Sequence, residues 1–585
     1  MAAPFFGRAF FGRAFFELSL YLTMLAESLY RLPTMRTSSI SFALVCLILV
    51  AGCSKPDYDV ILSNGNVFDG NGTDPVQTDI GIRADTIAFI GDLSLSSAGL
   101  EIDATGLAVT PGFINMLSWA TGNLVKDGRS LGDIAQGVTL EVFGEGWSEG
   151  PLNDAMKSDG SSLVDTPAWT TLREYLATLE NGGISTNVAS FVGATTVRIH
   201  ELGHENRPPT PDELDRMKAL VRQAMEEGAM GLGSSLIYAP AFYADTDELI
   251  ELAKVAAEYD GMYISHMRSE GNQLLEALEE LITISREAGI RAEVYHLKAA
   301  GEANWPKIDQ AIERIEQARS EGQEITADMY TYIAGATGLD AFMPPWVQEG
   351  GFGEWRTRLM DPDIRAKVLG EMRTPTNEWE NLGLGAGPEG IMVVGFEQDS
   401  LRYLIGKTLA ELAVERGTTP EDVAIDLVIA DSTRVGTVYF LMSEENVKKQ
   451  IALPWISFDS DAESMAPEGE NLKNNPHPRA YGNFARLLAK YVRDEGVISL
   501  QEAVRKLTSL PADNLRLARR GRLEVGHFAD IAIFDPETIQ DHATFQEPHQ
   551  LATGMSHVFV NGVQVFKDGS HTGAFPGRAV LRGEN

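Results

Sequence analysis

The sequence predicts an α/β protein: a closed (β/α)8 barrel of the TIM type, with a small β-sandwich assembled from both ends of the chain. Three observations carry that prediction. Eight short apolar runs, near 108–117, 138–144, 186–193, 229–236, 261–266, 291–298, 323–330 and 454–459, recur through the centre of the chain, each the length of a buried parallel strand. Amphipathic helical segments lie between several of them, the alternation a parallel sheet needs. The stretches before and after this centre read instead as short strands joined by turns. With 585 residues and 44% hydrophobic content, the chain can bury one large core and a smaller module.

Residues 1–53 read as an export region. Phe-Phe-Gly-Arg-Ala occurs twice, at Phe5–Ala9 and Phe10–Ala14, an artefactual extension ahead of the expected start at Met35. Arg36 then leads into the apolar run Ile40–Val50 and the small residues Ala51-Gly52-Cys53. Charge, short hydrophobic stretch and small residues in that order are a signal peptide rather than a membrane span. The ending resembles a bacterial lipoprotein cleavage site, which implies lipidation of Cys53. Ser54 after it implies outer-membrane retention and a periplasm-facing protein whose membrane contact is the lipid alone.

Cys46 and Cys53 are the two cysteines of the sequence. The mature protein then keeps only the lipidated one, which excludes disulfides, thiolate nucleophiles and cysteine-ligated metals. Its 83 acidic against 48 basic side chains keep the surface soluble and repel phosphate backbones, so nucleic acid is not an expected partner.

The sandwich is expected from residues 58–106 and 520–585. Its N-terminal part holds Asp59-Val60-Ile61-Leu62, Asn64-Gly65-Asn66-Val67-Phe68, and a strand pair around the turn Arg83-Ala84-Asp85. Its C-terminal part holds Ala529–Phe534 and Val558–Gly562. Residues 107–519 form the barrel. Asp245 can cap a helix whose apolar stripe is Leu249, Leu252, Ala253 and Ala256, and Ile308, Ala311, Ile312 and Ile315 make a second such stripe. Between strands seven and eight, about 345–450, a structureless loop would be improbably long, so a partly helical insertion is expected there.

Two histidines end consecutive predicted strands, in Tyr263-Ile264-Ser265-His266 and Val294-Tyr295-His296-Leu297-Lys298. Adjacent barrel strands bring both to the C-terminal rim, where such barrels keep their chemistry. Neutral imidazole is the commonest protein ligand for zinc, so a metallohydrolase is the first reading. Strand alternation puts Ala292, Val294, His296 and Lys298 on one face. Asp461, after the eighth apolar run, suits a carboxylate that takes a proton from activated water. Asp459 shares its parity, and the sequence does not separate the two.

These stretches resemble the amidohydrolase superfamily and, within it, the N-acyl-D-amino-acid deacylase (D-aminoacylase) family. The resemblance runs over nearly all of Tyr58 to Arg582: Val109–Ile114, Ser265–Gly271, His296-Leu297-Lys298, Tyr330-Thr331-Tyr332, His477–Gly482, Thr508–Ala512 and Gly526–Asp530. One departure stands out. The family follows Pro-Gly-Phe-Ile with Asp-x-His-x-His, which supplies two ligands to one metal position. Here the run is Asn115-Met116-Leu117-Ser118-Trp119, and a binuclear centre of the usual type is not expected.

The family's other metal position uses a strand-end Cys, Lys or Glu with the two later histidines. Glu145 stands beside that column, giving Glu145, His266 and His296 as the expected ligands of one zinc per chain. The resemblance further implies that Arg479 grips the amino-acid carboxylate and that Lys298, Tyr238 and Tyr330 line the acyl amide. The expected activity is metal-dependent hydrolysis of N-acyl amino acids, with the D configuration resting on the resemblance, and the expected partner is a small N-acyl amino acid or peptide. The alternatives are a dipeptidase or cyclic amidase on the same fold, or a non-catalytic binding lipoprotein with a degenerate metal site.

Overall fold

The computed structural model describes residues 56–158, 162, 164 and 166–583. Residues 1–53, expected to be an export region, lie outside the described residues, Cys53 included. Among those described, no helix is long and apolar enough to cross a membrane.

The chain opens with β1 (Tyr58–Val67), β2 (Val76–Arg83), β3 (Thr86–Gly91), β4 (Ala98–Asp103) and β5 (Ala108–Pro111). β2 and β3 close on each other at Arg83 and Thr86, around the expected turn, where Ala84 takes φ +51°. β1 pairs antiparallel with β2 throughout, but its other edge pairs with β4 as far as Ser63 and with β5 from Asn66. The bulge between them carries Asn64 at φ +61°. A Cβ at Gly65 would come within 2.5 Å of Val109 Cγ2, so only glycine allows that approach.

The barrel follows: β6 (Phe113–Asn115), β7 (Val138–Phe143), β8 (Asn187–Ser190), β9 (Val192–Gly193), β10 (Gly231–Ser235), β11 (Met262–His266), β12 (Arg291–Val294) and β13 (Ile325–Ala327). Pairing is parallel throughout, β6-β7-β8 and β9-β10-β11-β12-β13. β8 and β9 are one barrel position interrupted at Phe191. The eighth position is the run 455–459, which is not a continuous strand. It is held by an Ala327–Ile456 bridge and by the N–H groups of Ser457 and Asp459 on the carbonyls of Ala327 and Met329. Met116 N–H on Phe458 O closes the ring.

The first predicted strand divides at Gly112. β5 belongs to the sandwich and β6 to the barrel, and the break lets Gly112 pass so near Thr139 that a Cβ would meet Oγ1 at 2.2 Å. Ile114, Met116, Leu117, Leu140, Val142, Phe191, Met262, Ile264 and Tyr295 fill the barrel interior. Around it, Thr246–Ala257 buries Leu249, Leu252, Ala253 and Ala256. Each fully buried Leu contributes roughly 1.5–3 kcal/mol. Asp245 accepts the Glu248 N–H at 2.8 Å and fixes where that helix begins. Lys307–Ser320 buries Ile308, Ala311 and Ile315 while Ile312 is half-buried.

Between β13 and the eighth position, β14 (Ala334–Gly338), β15 (Ile391–Gly395) and β16 (Gly436–Phe440) form an antiparallel sheet with β16 central. Helices such as Phe352–Met360 and Pro420–Asp431 pack on a separate apolar cluster there. The chain then returns to the sandwich through β17 (Ile531–Phe534), β18 (Met555–Val560), β19 (Val563–Lys567) and β20 (Ser570–His571), with β17 antiparallel to β5. The result is a nine-stranded sheet of both chain ends.

Candidate metal centre

Glu145, His266 and His296 offer ligand atoms that all lie within 4.8 Å of one another, and all three residues are buried. Glu145 Oε1 is 2.7 Å from His266 Nδ1 and 3.2 Å from His296 Nε2. One carboxylate oxygen and two imidazole nitrogens converging on a point are a donor set that suits zinc. The electrostatics agree. Burial works against the charge on Glu145, yet the hydrogen bonds and charges of the two histidines outweigh it and hold the carboxyl at about 2. Burial and Lys298 both push His296 down, while Glu270 and Glu145 outweigh them and bring it to about 10. This pocket favours positive charge, as a site for a cation must.

His266 arrives as expected, as the last residue of β11. His296 does not arrive by strand alternation. Ala292 and Val294 pack outward with helix residues such as Leu278, Ile282 and Ala311, while Tyr295 points into the barrel interior. β12 ends at Val294, and His296 reaches the site because its backbone turns left-handed, φ +36°. Its N–H donates to Asp328 Oδ1, which holds the turn. His296 therefore stands at the rim through a turn after β12 and not through the alternation expected of a strand.

Glu145 lies beyond β7, followed by Gly146 at φ +73°, where a Cβ would meet Ser235 at 2.7 Å. That tight turn aims Glu145 across the barrel mouth. Glu141, the other strand-two carboxylate, accepts from Ser118 (2.7 Å) and Thr186 (2.9 Å), away from the histidines. Burial raises it and the neighbouring Asp133 above the usual carboxylate range.

Sequence reasoning missed Glu270. Its Oε1 lies 3.0 Å from His296 Nδ1 and its Oε2 3.7 Å from His266 Nε2, the two ring nitrogens turned away from Glu145. A carboxylate on the outer nitrogen fixes ring orientation and strengthens a metal ligand, as Glu270 does for His296, while His266 Nε2 has no hydrogen-bond partner among the described residues. Glu270 stands four residues after His266 within a motif already singled out, and that spacing was the available signal. Glu380, from the insertion, accepts the N–H groups of Glu270 (2.6 Å) and Gly271 (3.1 Å) and so braces the loop. On the far side of that loop is a cavity of about 1040 Å³, lined by Arg268, Ser269, Ala300 and Glu380 among others, and separate from the three ligands.

Lys298 Nζ lies 2.7 Å from both Glu270 Oε1 and His296 Nδ1. Tyr330 is packed between cations, with Arg479 4.3 Å and Lys298 5.3 Å from its ring centre. The Tyr238 ring is 5.4 Å from that of His266. Arg479 is 2% exposed, with Nη2 2.9 Å from Asp461 Oδ2. Its Nε and Nη1 have no hydrogen-bond partner among the described residues, leaving donors for a ligand carboxylate. Arg479 N–H donates to His477 Nδ1 (3.0 Å), and His477 Nε2 lies 2.9 Å from Ala334 O. This neutral ring, lowered by burial, ties the arginine to the insertion sheet.

The structure separates the two aspartates. Asp459 is wholly buried, and burial with the Asp461 charge pushes it up to about 7. It belongs to an internal row with Asp328, raised by burial and by Asp459, and Glu293, pushed by burial to about 7. Asp461 sits at the rim at φ +43°. Its Oδ1 accepts from Trp119 Nε1 at 3.0 Å and its Oδ2 faces Arg479.

D-aminoacylase of Alcaligenes xylosoxydans xylosoxydans is 33% identical over 533 residues, 90% of this chain and 98% of that protein. The chain belongs to the amidohydrolase family. Residues 474–566 match the Amidohydrolase family model. A solved D-aminoacylase, described by one-metal activation and second-metal attenuation of its binuclear centre, superposes with a TM-score of 0.74 at 32% identity, covering 90% of this chain and all of that one. N-acyl-D-glutamate deacylase from Bordetella bronchiseptica, solved with zinc and a phosphonate mimic of the tetrahedral intermediate, gives 0.75 at 29% identity, covering 90% of this chain and 99% of that one. This amidohydrolase is therefore a hydrolase of amide bonds on a TIM barrel with a β-sandwich.

Proposed function

We propose that this amidohydrolase deacylates N-acyl-D-amino acids with one zinc per chain, held by Glu145 Oε1, His266 Nδ1 and His296 Nε2. The observation that carries the reading is the convergence of these three atoms beside an Asp461–Arg479 pair whose guanidinium has donors to spare. When bound, zinc supplies Lewis acidity, polarising the amide carbonyl and acidifying water.

The residues divide the remaining work. Arg479 binds the substrate carboxylate and fixes the amino-acid end. Lys298, Tyr238 and Tyr330 line the acyl amide. Asp461 accepts a proton from water as its oxygen bonds to the carbonyl carbon, then delivers that proton to the amide nitrogen as the C–N bond breaks. The products are a carboxylic acid and an amine, which become a carboxylate and an ammonium group when the acid proton passes to the amine. Glu270 holds the His296 imidazole throughout. A lipid on Cys53 would keep the domain at a membrane surface.

The relatives' names, D-aminoacylase and N-acyl-D-glutamate deacylase, support the D configuration. The test is a panel of N-acetyl amino acids in both enantiomers, with dipeptides and cyclic amides beside them. D substrates are expected to exceed their L partners in kcat/KM by on the order of a hundredfold or more, since the wrong hand leaves buried polar groups unmatched. Equal rates for both hands, or turnover of cyclic amides alone, would contradict the reading.

A further inference from the structure

We infer that Trp119 is a positioning residue for Asp461, acting through the indole N–H that it donates to Asp461 Oδ1. The inference rests on the proposed role of Asp461 as base. Its geometry begins in the backbone. The N–H of Asp461 donates to Leu117 O (3.0 Å) and that of Trp119 to Ala462 O (2.9 Å), with Ser118 and Ala462 bridged in parallel. This short ladder sets the ends of the first and eighth barrel positions side by side. Asn115 locks it from below: its Oδ1 accepts the Ser460 N–H and its Nδ2 donates to Ser460 Oγ, both at 2.8 Å.

On that frame the left-handed turn at Asp461 brings its carboxylate to the indole, Nε1 to Oδ1 3.0 Å. Indole N–H is a donor only and has no lone pair for a metal. The contact therefore occupies Oδ1 as an acceptor and sets the direction in which the carboxylate points. With Arg479 on Oδ2 at 2.9 Å, both oxygens are held and the carboxylate plane is fixed. Leu117 is wholly buried in the apolar interior and offers no ligand atom. Asp461 is not among the residues that converge with Glu145, His266 and His296.

The experiment replaces Trp119 in the full-length protein in two ways: Trp119→Phe, and site-specific incorporation of the benzothiophene isostere of tryptophan, which keeps the ring shape and removes the N–H. A hydrogen bond to a charged group predicts a fall in kcat on the order of ten- to a hundredfold. KM should stay within about twofold and zinc content should be unchanged, because a positioning role acts on the chemical step. The isostere decides the matter if the phenylalanine variant folds poorly. An isostere with wild-type kcat overturns the inference, as does one in which kcat, KM and zinc content deteriorate together. If Asp461→Asn is itself fully active, it is the base assignment that fails, and the two failures are thus distinguishable.

Discussion

Asp461→Asn lowers turnover by on the order of 10²–10⁴-fold, the usual contribution of a general acid–base group, and leaves bound zinc unchanged. The amide keeps the shape and still accepts from Trp119, but it cannot carry a proton from water to the leaving amine. Asp459→Asn has a much smaller effect on turnover. Asp459 lies in the internal row, wholly buried and pushed up to about 7, whereas Asp461 sits at the rim against Arg479. Steady-state kinetics on both variants, with zinc measured on the same samples, checks the assignment. An inactive Asp459→Asn beside an active Asp461→Asn would assign the base to Asp459.

Glu145→Gln weakens zinc binding and hydrolysis together, with added zinc restoring part of the rate. The side chain keeps its size, but the negative charge that faces both imidazoles is lost, and with it the only carboxylate in the three-residue donor set. The loss should exceed the ~10–100-fold in metal affinity that outer-shell changes cost. Chelator competition followed by rate measurements at increasing free zinc reads both effects. Unchanged affinity and unchanged turnover would remove Glu145 from the site.

Much of the architecture was legible because buried strands and amphipathic helices leave periodic traces. The helix begun by Asp245 and the turn at Ala84 follow from local chemistry alone. The details that deliver side chains to the site were not legible, because they depend on backbone turns set by distant partners. His296 faces Glu145 only through a left-handed residue held by Asp328, one strand away. Glu270 and Trp119 gain their importance from contacts across the barrel mouth, to the two imidazoles and to Asp461. That Trp119 follows the first barrel strand was plain in the sequence. That a tryptophan there would reach a carboxylate 342 residues away was not. Asp459 and Asp461 share a parity, and only burial and the contacts of Asp461 with Trp119 and Arg479 distinguish them.

The central claim is a single-zinc hydrolase, and titrating the chelated protein with zinc while recording rate and stoichiometry tests it most directly. Activity should rise to a plateau at about one zinc per chain, as a donor set of Glu145, His266 and His296 can hold. Excess zinc should leave that plateau unchanged. Two tightly held ions per chain at full activity, or full activity with none, would contradict the account.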